Sequence, residues 1–434
     1  MNNQRDPDRR NTTRRAFLRG SGAVAVAAAL TPGLASATKV HVGGNQTLRI
    51  GLVGCGSRGT GAADQAMQAD SDVQLVALAD LFGDRIETTF TRLQQRGGAR
   101  FAVSRERCFV GFDACRQLID SGVDVVLLAT PPHFRPAHLQ AAVDAGKHVF
   151  MEKPVAVDAP GVRSVLETCR RAQEKGLSIV AGLMLRYSTA IQETVQRIRA
   201  GQIGKIVALQ SNYNIGGLWI RQRQPEWTDM EWQLRNWYYF TWLSGDHIVE
   251  QHVHGLDLMA WMMQDEPPQW CFGLGGRQAR TGPEFGHIFD HHAVCYEYAG
   301  GVRCFCYCRQ QPGTFSDTSQ LVFASDGIAD LRKGTMTGPE TWRYSQAGGQ
   351  KDVPYQQEQD ALFASIRTGG AVNNGEYAAR STLLAVMGRM ATYTGQRVTW
   401  EQAENSSESL TPPCYEFGPL PVPPVAVPGV TPLS

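Results

Sequence analysis

The sequence predicts an α/β protein in which a doubly wound parallel sheet domain is followed by an α+β domain with an open, mainly antiparallel sheet. Strands and helices alternate through the first half, a glycine-rich turn separates the first strand from the first helix, and later strands pair across tight glycine turns. A chain of 434 residues also exceeds the roughly 100 to 200 residues that one core usually organises, so two domains are expected.

The first 37 residues stand apart, with six arginines against two aspartates. A basic opening, an apolar run from Gly20 to Leu34 and the small residues Ala35-Ser36-Ala37 read as a signal peptide. The run is shorter than the about 20 apolar residues that a bilayer helix needs, so no stable membrane span is expected after cleavage. Thr13-Arg14-Arg15-Ala16-Phe17-Leu18-Arg19 resembles the twin-arginine signal, which implies export of an already folded protein to the periplasm or cell envelope. Ten cysteines without a short-range paired framework fit folding in a reducing compartment, and mostly free thiols are expected.

A polar linker over 38–47 leads into the first domain, expected over 48–183. Leu48 to Val53 is short, apolar apart from Arg49 and Gly51, and stopped by glycine, as a buried parallel strand is. Helix follows from Gly59 to Ala69, then strands at Val73 to Ala79, Val123 to Ala129 and His148 to Met151, with helices between. A helix over Val162 to Lys175 and a strand over Ser178 to Leu183 complete the sheet.

The second domain is expected over 184–400. Gln192 to Ala200 reads as helix and Lys205 to Asn212 as strand, and Ala293 to Tyr298 with Val302 to Cys308 as an antiparallel pair turning at Gly300-Gly301. Helices follow at Glu358 to Arg367 and Tyr377 to Thr394. The stretch 401–434 is rich in proline, which excludes ordinary helix and predicts an extended tail lying on its own protein or on a neighbouring subunit, with plain disorder as the alternative.

A formal net charge of +1 argues against a general nucleic-acid or anionic-membrane binder and fits a small neutral partner. Gly54-Cys55-Gly56-Ser57-Arg58-Gly59 supplies more: it is a GxGxxG placed after a predicted strand and before a predicted helix, the context of a Rossmann dinucleotide site. Gly54 makes the turn, Gly56 admits the pyrophosphate, and Gly59 lets helix and strand approach, with phosphate at the helix N-terminus beside Ser57 and Arg58. Asp80, 21 residues past Gly59, closes the second strand where a carboxylate accepts the ribose hydroxyls, which favours NAD over NADP.

Met151-Glu152-Lys153-Pro154 after an apolar strand resembles the EKP signature of the glucose-fructose oxidoreductase, inositol dehydrogenase and MocA family. Gly245 to Asp257 aligns with that family's second signature, so the resemblance covers most of the chain beyond residue 37. It implies that Glu152, Lys153 and Pro154 border the nicotinamide. It further implies that Lys153 lies beside the substrate hydroxyl, that His254 takes the hydroxyl proton, and that Glu250 shares the catalytic site. Substrate contacts are expected at Arg186, Tyr187, His252 and Asp257, with an interdomain structural role equally open for Arg186 and Tyr187. Two positions depart from the family pattern: Glu250 stands where aspartate is usual, and His252 where glycine is usual.

If the segment is one helix, Glu250, His254 and Asp257 share a face. His247, Glu250, His252 and His254 form a possible metal cluster by residue type, but the segment lacks HExxH and no metal is expected. Cys304, Cys306 and Cys308 alternate on one strand face and read as small buried hydrophobes. Five tryptophans between Trp219 and Trp242 read mostly as core or subunit-interface packing, with one or two lining a cleft, and a homo-oligomer is expected.

The function this implies is hydride transfer between nicotinamide and a hydroxyl-bearing carbon of a sugar, cyclitol or glycoside. Two alternatives remain: a redox-neutral NAD-dependent glycoside hydrolase, and a nucleotide-binding sensor without turnover.

Overall fold

The protein is described by a computed structural model over residues 46–345 and 351–434, so the expected signal peptide lies outside the described residues. The first domain alternates β1 (Leu48–Val53), α1 (Ser57–Ala69), β2 (Val73–Asp80), α2 (Gly83–Gly97), β3 (Cys108–Val110), α3 (Ala114–Asp120), β4 (Val125–Leu128), α4 (Arg135–Asp144), β5 (His148–Met151), α5 (Ala159–Glu174) and β6 (Ile179–Ala181). All pairings are parallel, in the order β3-β2-β1-β4-β5-β6. The order reverses between β1 and β4, and that switch point opens a crevice at the carboxyl ends of the strands. Residues of β1, β4, β5 and β6 are almost all buried, because helices cover both faces of the sheet.

The second domain contains α6 (Thr189–Arg199), β7 (Ile206–Ile215), α7 (Asp229–Arg235), α8 (Thr241–Ser244), α9 (His247–Glu250) and α10 (Val253–Met262). Strands β8 (Trp270–Gly276), β9 (His291–Glu297), β10 (Arg303–Gln310), β11 (Gln320–Ala324), β12 (Gly327–Asp330), β13 (Thr335–Thr337) and β14 (Trp342–Arg343) follow. The chain then forms α11 (Pro354–Thr368), α12 (Gly375–Thr394), β15 (Val398–Thr399) and α13 (Trp400–Glu404). Nine strands are ordered β14-β13-β12-β11-β7-β10-β9-β8-β15, antiparallel except where β10 runs parallel to β7. The predicted hairpin is present: β9 and β10 pair antiparallel across Gly300 and Gly301, both at positive φ.

Three differences from the sequence reading have physical causes. Helix α11, expected with the second domain, packs on α1, and its Leu362, Phe363 and Ile366 join the core formed by Ile50, Leu52 and Leu75. The small buried face of α1, Ala62, Ala63 and Ala66, leaves room for that approach. The segment carrying Glu250 and His254 is two helices, α9 and α10, joined through Gln251 and His252, so a single helical face across Glu250, His254 and Asp257 does not form.

The proline-rich tail lies on its own protein. Phe417 stacks on Phe82 with ring centroids 6.1 Å apart and tilts against Phe112 at 5.4 Å, and the carbonyl of Gly418 accepts the Met230 N–H. All ten cysteines are free, and Cys304, Cys306 and Cys308 are buried as expected. Among the described residues, no helix is long and apolar enough to cross a membrane.

Candidate active site

The turn between β1 and α1 meets the steric demands of a dinucleotide loop. Gly54 has φ +100°, and a Cβ there would lie 2.5 Å from the Ala129 carbonyl carbon; one at Gly59 would lie 1.9 Å from the Gly54 oxygen. A Cβ at Gly56 would meet nothing within 4 Å, so the backbone stands open on the side where a diphosphate approaches. Ser57 is exposed in the first turn of α1.

The turn faces a cleft of about 830 Å³ whose lining includes Asp80, Arg85, Phe112 and His138 from the first domain and Trp219 and Trp237 from the second. Asp80 is buried at its rim and accepts the N–H groups of Cys55 at 2.6 Å and Phe82 at 3.0 Å. Burial pushes its pKa up, opposed by the Arg85 cation. Each carboxylate oxygen holds one backbone donor and keeps a lone pair for a ribose hydroxyl. Of the five tryptophans in the aromatic run, Trp219, Trp227 and Trp237 line this cleft, while Trp232 and Trp242 are packed inside.

Glu152, Lys153 and Pro154 follow β5 at the same carboxyl edge, and the Lys153-Pro154 peptide is cis. They fall outside the lining of the adenosine-side cleft. Glu152 holds Arg58 at 2.5 Å, and Arg58 also binds Glu358 at 3.0 Å and lies 4.4 Å from the Tyr355 ring centroid. Burial, with Glu152 beside it, pushes the Glu358 carboxyl up. Arg58 lines the cleft as expected of a residue near the phosphate, and its guanidinium is also held by two carboxylates and Gln65, an arrangement that follows from α11 folding back onto α1.

Lys153 reaches across to the second signature. Its Nζ donates to the Glu250 carbonyl oxygen at 2.7 Å and to Glu250 Oε1 at 2.9 Å. His254 begins α10 just beyond, with Nδ1 buried and without a hydrogen-bond partner. Burial and the Lys153 cation push its pKa well below the usual histidine value, so the ring is neutral near pH 7 and carries a lone pair.

Other expected contacts are redirected. Arg186 Nε donates to both Asp257 oxygens at 3.0 Å, its Nη2 binds Asp265, and its guanidinium lies 3.9 Å from the Tyr377 ring centroid. Asp257 also accepts from Ser381 at 2.8 Å and has no exposed surface to offer a ligand. Tyr187 donates to Asn374 Oδ1 at 2.7 Å. His252 is fully buried. Arg186 and Asp257 thus tie α10 to α12, Tyr187 bonds the residue before α12, and His252 packs on Tyr213 of β7, contacts that fit the structural role open for Arg186 and Tyr187.

Sequence reasoning also missed Arg135, buried after β4, whose guanidinium donates to the carbonyls of Leu128 and Thr130 at 2.7 Å and shapes the loop opposite Gly54. No local pattern marks it.

A six-stranded parallel domain with a glycine turn at its switch point, joined to an antiparallel domain that returns Glu250 and His254 to the same edge, defines a two-domain dinucleotide-binding protein of the oxidoreductase class. Residues 48–180 match the model of the oxidoreductase family with NAD-binding Rossmann fold, and residues 191–329 match the GFO/IDH/MocA C-terminal domain. The chain belongs to the GFO/IDH/MocA oxidoreductase family.

Relatives include 2,7-anhydro-N-acetylneuraminate hydratase of Escherichia coli strain K12, 28% identical over 200 residues, 46% of this chain and 49% of that protein. An inositol 2-dehydrogenase of Cereibacter sphaeroides is 29% identical over 262 residues, 59% of this chain and 65% of that protein. The matched stretches thus span about half to two thirds of these relatives' lengths. Among solved structures, aldose-aldose oxidoreductase from Caulobacter crescentus superposes with a TM-score of 0.63 at 17% identity, covering 82% of this chain and 100% of that one. Scyllo-inositol dehydrogenase from Lactobacillus casei, with bound NAD(H) and scyllo-inositol, gives 0.62 at 15%, with the same coverage.

Proposed function

We propose that the protein is an NAD-dependent oxidoreductase acting on a hydroxyl-bearing carbon of a sugar, cyclitol or glycoside. The observation that carries this is the Lys153–Glu250 contact across the two domains, with a neutral His254 opening the next helix. NAD bound on the glycine turn would supply the hydride acceptor. Asp80 would hold the adenosine ribose, and the open backbone at Gly56 would receive the diphosphate.

Loss of hydride from a carbinol carbon turns C–O into C=O, and the O–H proton must leave as this happens. His254 would accept that proton on its free lone pair. Lys153, held by Glu250, would donate a hydrogen bond to the same oxygen and stabilise its developing charge. Lys153 and His254 are then the catalytic residues, and Glu250 positions Lys153.

A second reading is supported by the relative named a hydratase: oxidation at one carbon, elimination, water addition and re-reduction would leave no net redox change. Purified protein incubated with NAD and a panel of sugars, cyclitols and nitrophenyl glycosides separates the two. Growth of the reduced-nicotinamide band supports the dehydrogenase, and nitrophenol release without accumulation of that band supports the redox-neutral route. Neither signal across the panel, in protein shown to bind NAD, would sink both readings and favour a sensor.

The proposal includes export by the twin-arginine route, resting on Arg14-Arg15 and the apolar run after them, and a homo-oligomeric assembly. Cell fractionation of wild type and an Arg14→Lys/Arg15→Lys variant tests the first, and light scattering the second.

A further inference from the structure

Behind the catalytic segment lies a buried cluster that the proposed chemistry does not use. Asp246 precedes α9, His247 begins it, and His292 comes from β9. The side chains of all three are wholly buried, and one donor atom from each lies within 4.8 Å of the others. His252, in the turn after α9, is fully buried too.

Five of the six ring nitrogens of His247, His252 and His292 lack a hydrogen-bond partner. The sixth, His292 Nδ1, lies 2.9 Å from Thr392 Oγ1. When the Thr392 hydrogen serves the carbonyl of Gly388 or Arg389, at 3.1 and 3.0 Å, its oxygen accepts the ring N–H. In the neutral ring, Nε2 then carries the lone pair, and it sits 3.3 Å from Asp246 Oδ1.

A carboxylate oxygen and an imidazole lone pair at that distance repel unless a cation lies between them. Two zinc ligands at about 2.0–2.1 Å in tetrahedral geometry are about 3.4 Å apart, close to the separation found. His247 Nε2 lies 3.9 Å from the same Asp246 oxygen. Asp246 Oδ2 is anchored by the Phe289 N–H at 2.9 Å and the Tyr393 hydroxyl at 2.5 Å, while Oδ1 accepts the His247 N–H as the cap of α9 and lies beside both rings. Such outer bonds, like that from His292 to Thr392, orient metal ligands.

We propose that Asp246, His247 and His292 bind a zinc ion that fastens the catalytic segment to strand β9. The fourth position falls to His252 or to a buried water. The ion would act structurally: it joins the residue before α9, which carries Glu250, to the second sheet, and it touches neither Lys153 nor His254.

The test uses untagged full-length protein, measured for metal by plasma mass spectrometry after dialysis without chelator. On the order of one zinc per chain is expected, falling below about a tenth in His292→Gln and His247→Gln. Cobalt exchanged into the wild type should give the visible absorption of a tetrahedral N/O site, and removal of zinc with a chelator should lower the melting temperature. If a variant fails to fold, the wild-type stoichiometry and cobalt spectrum decide. Folded wild type that holds no zinc, gives no cobalt band and melts at the same temperature with and without added zinc would overturn the site, as would zinc content unchanged in folded variants. Failure here leaves the proposed hydride chemistry intact, since that is read from nicotinamide absorbance.

Discussion

Lys153 and Glu250, 97 residues apart, are joined twice: one ammonium donates to both the main-chain carbonyl and the side-chain carboxylate of the same residue. The side-chain bond fixes charge and the main-chain bond fixes position. Glu250→Ala would release one of the two, whereas Lys153→Ala removes both.

Lys153→Ala and His254→Asn are therefore expected to lower kcat by roughly 10² to 10⁴-fold, the usual share of an acid–base group, with the NAD dissociation constant nearly unchanged. Glu250→Gln should lie between these variants and wild type, because the carbonyl contact persists. Steady-state rates with calorimetric NAD titration check this; native turnover in His254→Asn would remove His254 from the mechanism.

The pH profile carries a second expectation. Burial and then the Lys153 cation lower the His254 pKa, so the base stays unprotonated well below its ordinary value of about 6.5. Going down in pH from 8, kcat/KM should hold level past 6.5 before an acid limb attributable to His254 appears. In Lys153→Met the lowering by the cation is gone, so the limb in the residual activity should move up in pH. A limb unmoved or moved down would break the electrostatic link.

Asp80→Ala removes the acceptor of two backbone N–H groups as well as that proposed for the ribose. Weaker NAD binding is expected, by about 1.5–3 kcal/mol for hydrogen bonds to a charged group, with a smaller loss for NADP because repulsion of its phosphate is relieved. Titration of both nucleotides into both proteins measures the change in preference, and an unchanged NAD to NADP ratio would exclude Asp80 as its source.

Arg186 and Asp257 distinguish packing from substrate recognition. Loss of one partner leaves a buried charge unpaired, so Asp257→Ala should cost on the order of 3–5 kcal/mol of stability. Denaturant melts read that. A variant of native stability with a raised KM would restore these residues to the substrate site.

Phe417→Ala removes the ring that covers Phe82 and Phe112 at the adenosine rim. An aromatic pair contributes about 0.5–1.5 kcal/mol, so NAD affinity should fall a few fold while the two cores, and kcat at saturating NAD, stay as they were. Unaltered NAD affinity would reduce the tail contact to packing.

The parallel domain was legible because its signals are local: an apolar run stopped by Gly54, and an acidic residue ending the next strand. His148–Met151 was placed to the residue. The unpredicted parts depend on distant partners. Nothing around Arg58 announces Glu358, 300 residues on, and nothing around Arg186 announces Asp265. The break between α9 and α10 escaped because the apolar spacing of Ile248, Val249, Val253 and Leu256 is helical throughout, while the His252 N–H bonds back to the His247 carbonyl, one residue beyond the helical partner. Asp246 and His247 are adjacent in sequence, but only the register of β9 brings His292 to them.

The tail has a consequence in time as well as in space. Synthesis runs from the N-terminus towards the C-terminus, and Phe82 is made 335 residues before the ring that stacks on it. The glycine turn, Asp80 and the parallel sheet can all be complete while the outer faces of Phe82 and Phe112 still lie open to water. The contact with Phe417 is therefore a late one, made only once the proline-rich stretch has left the ribosome.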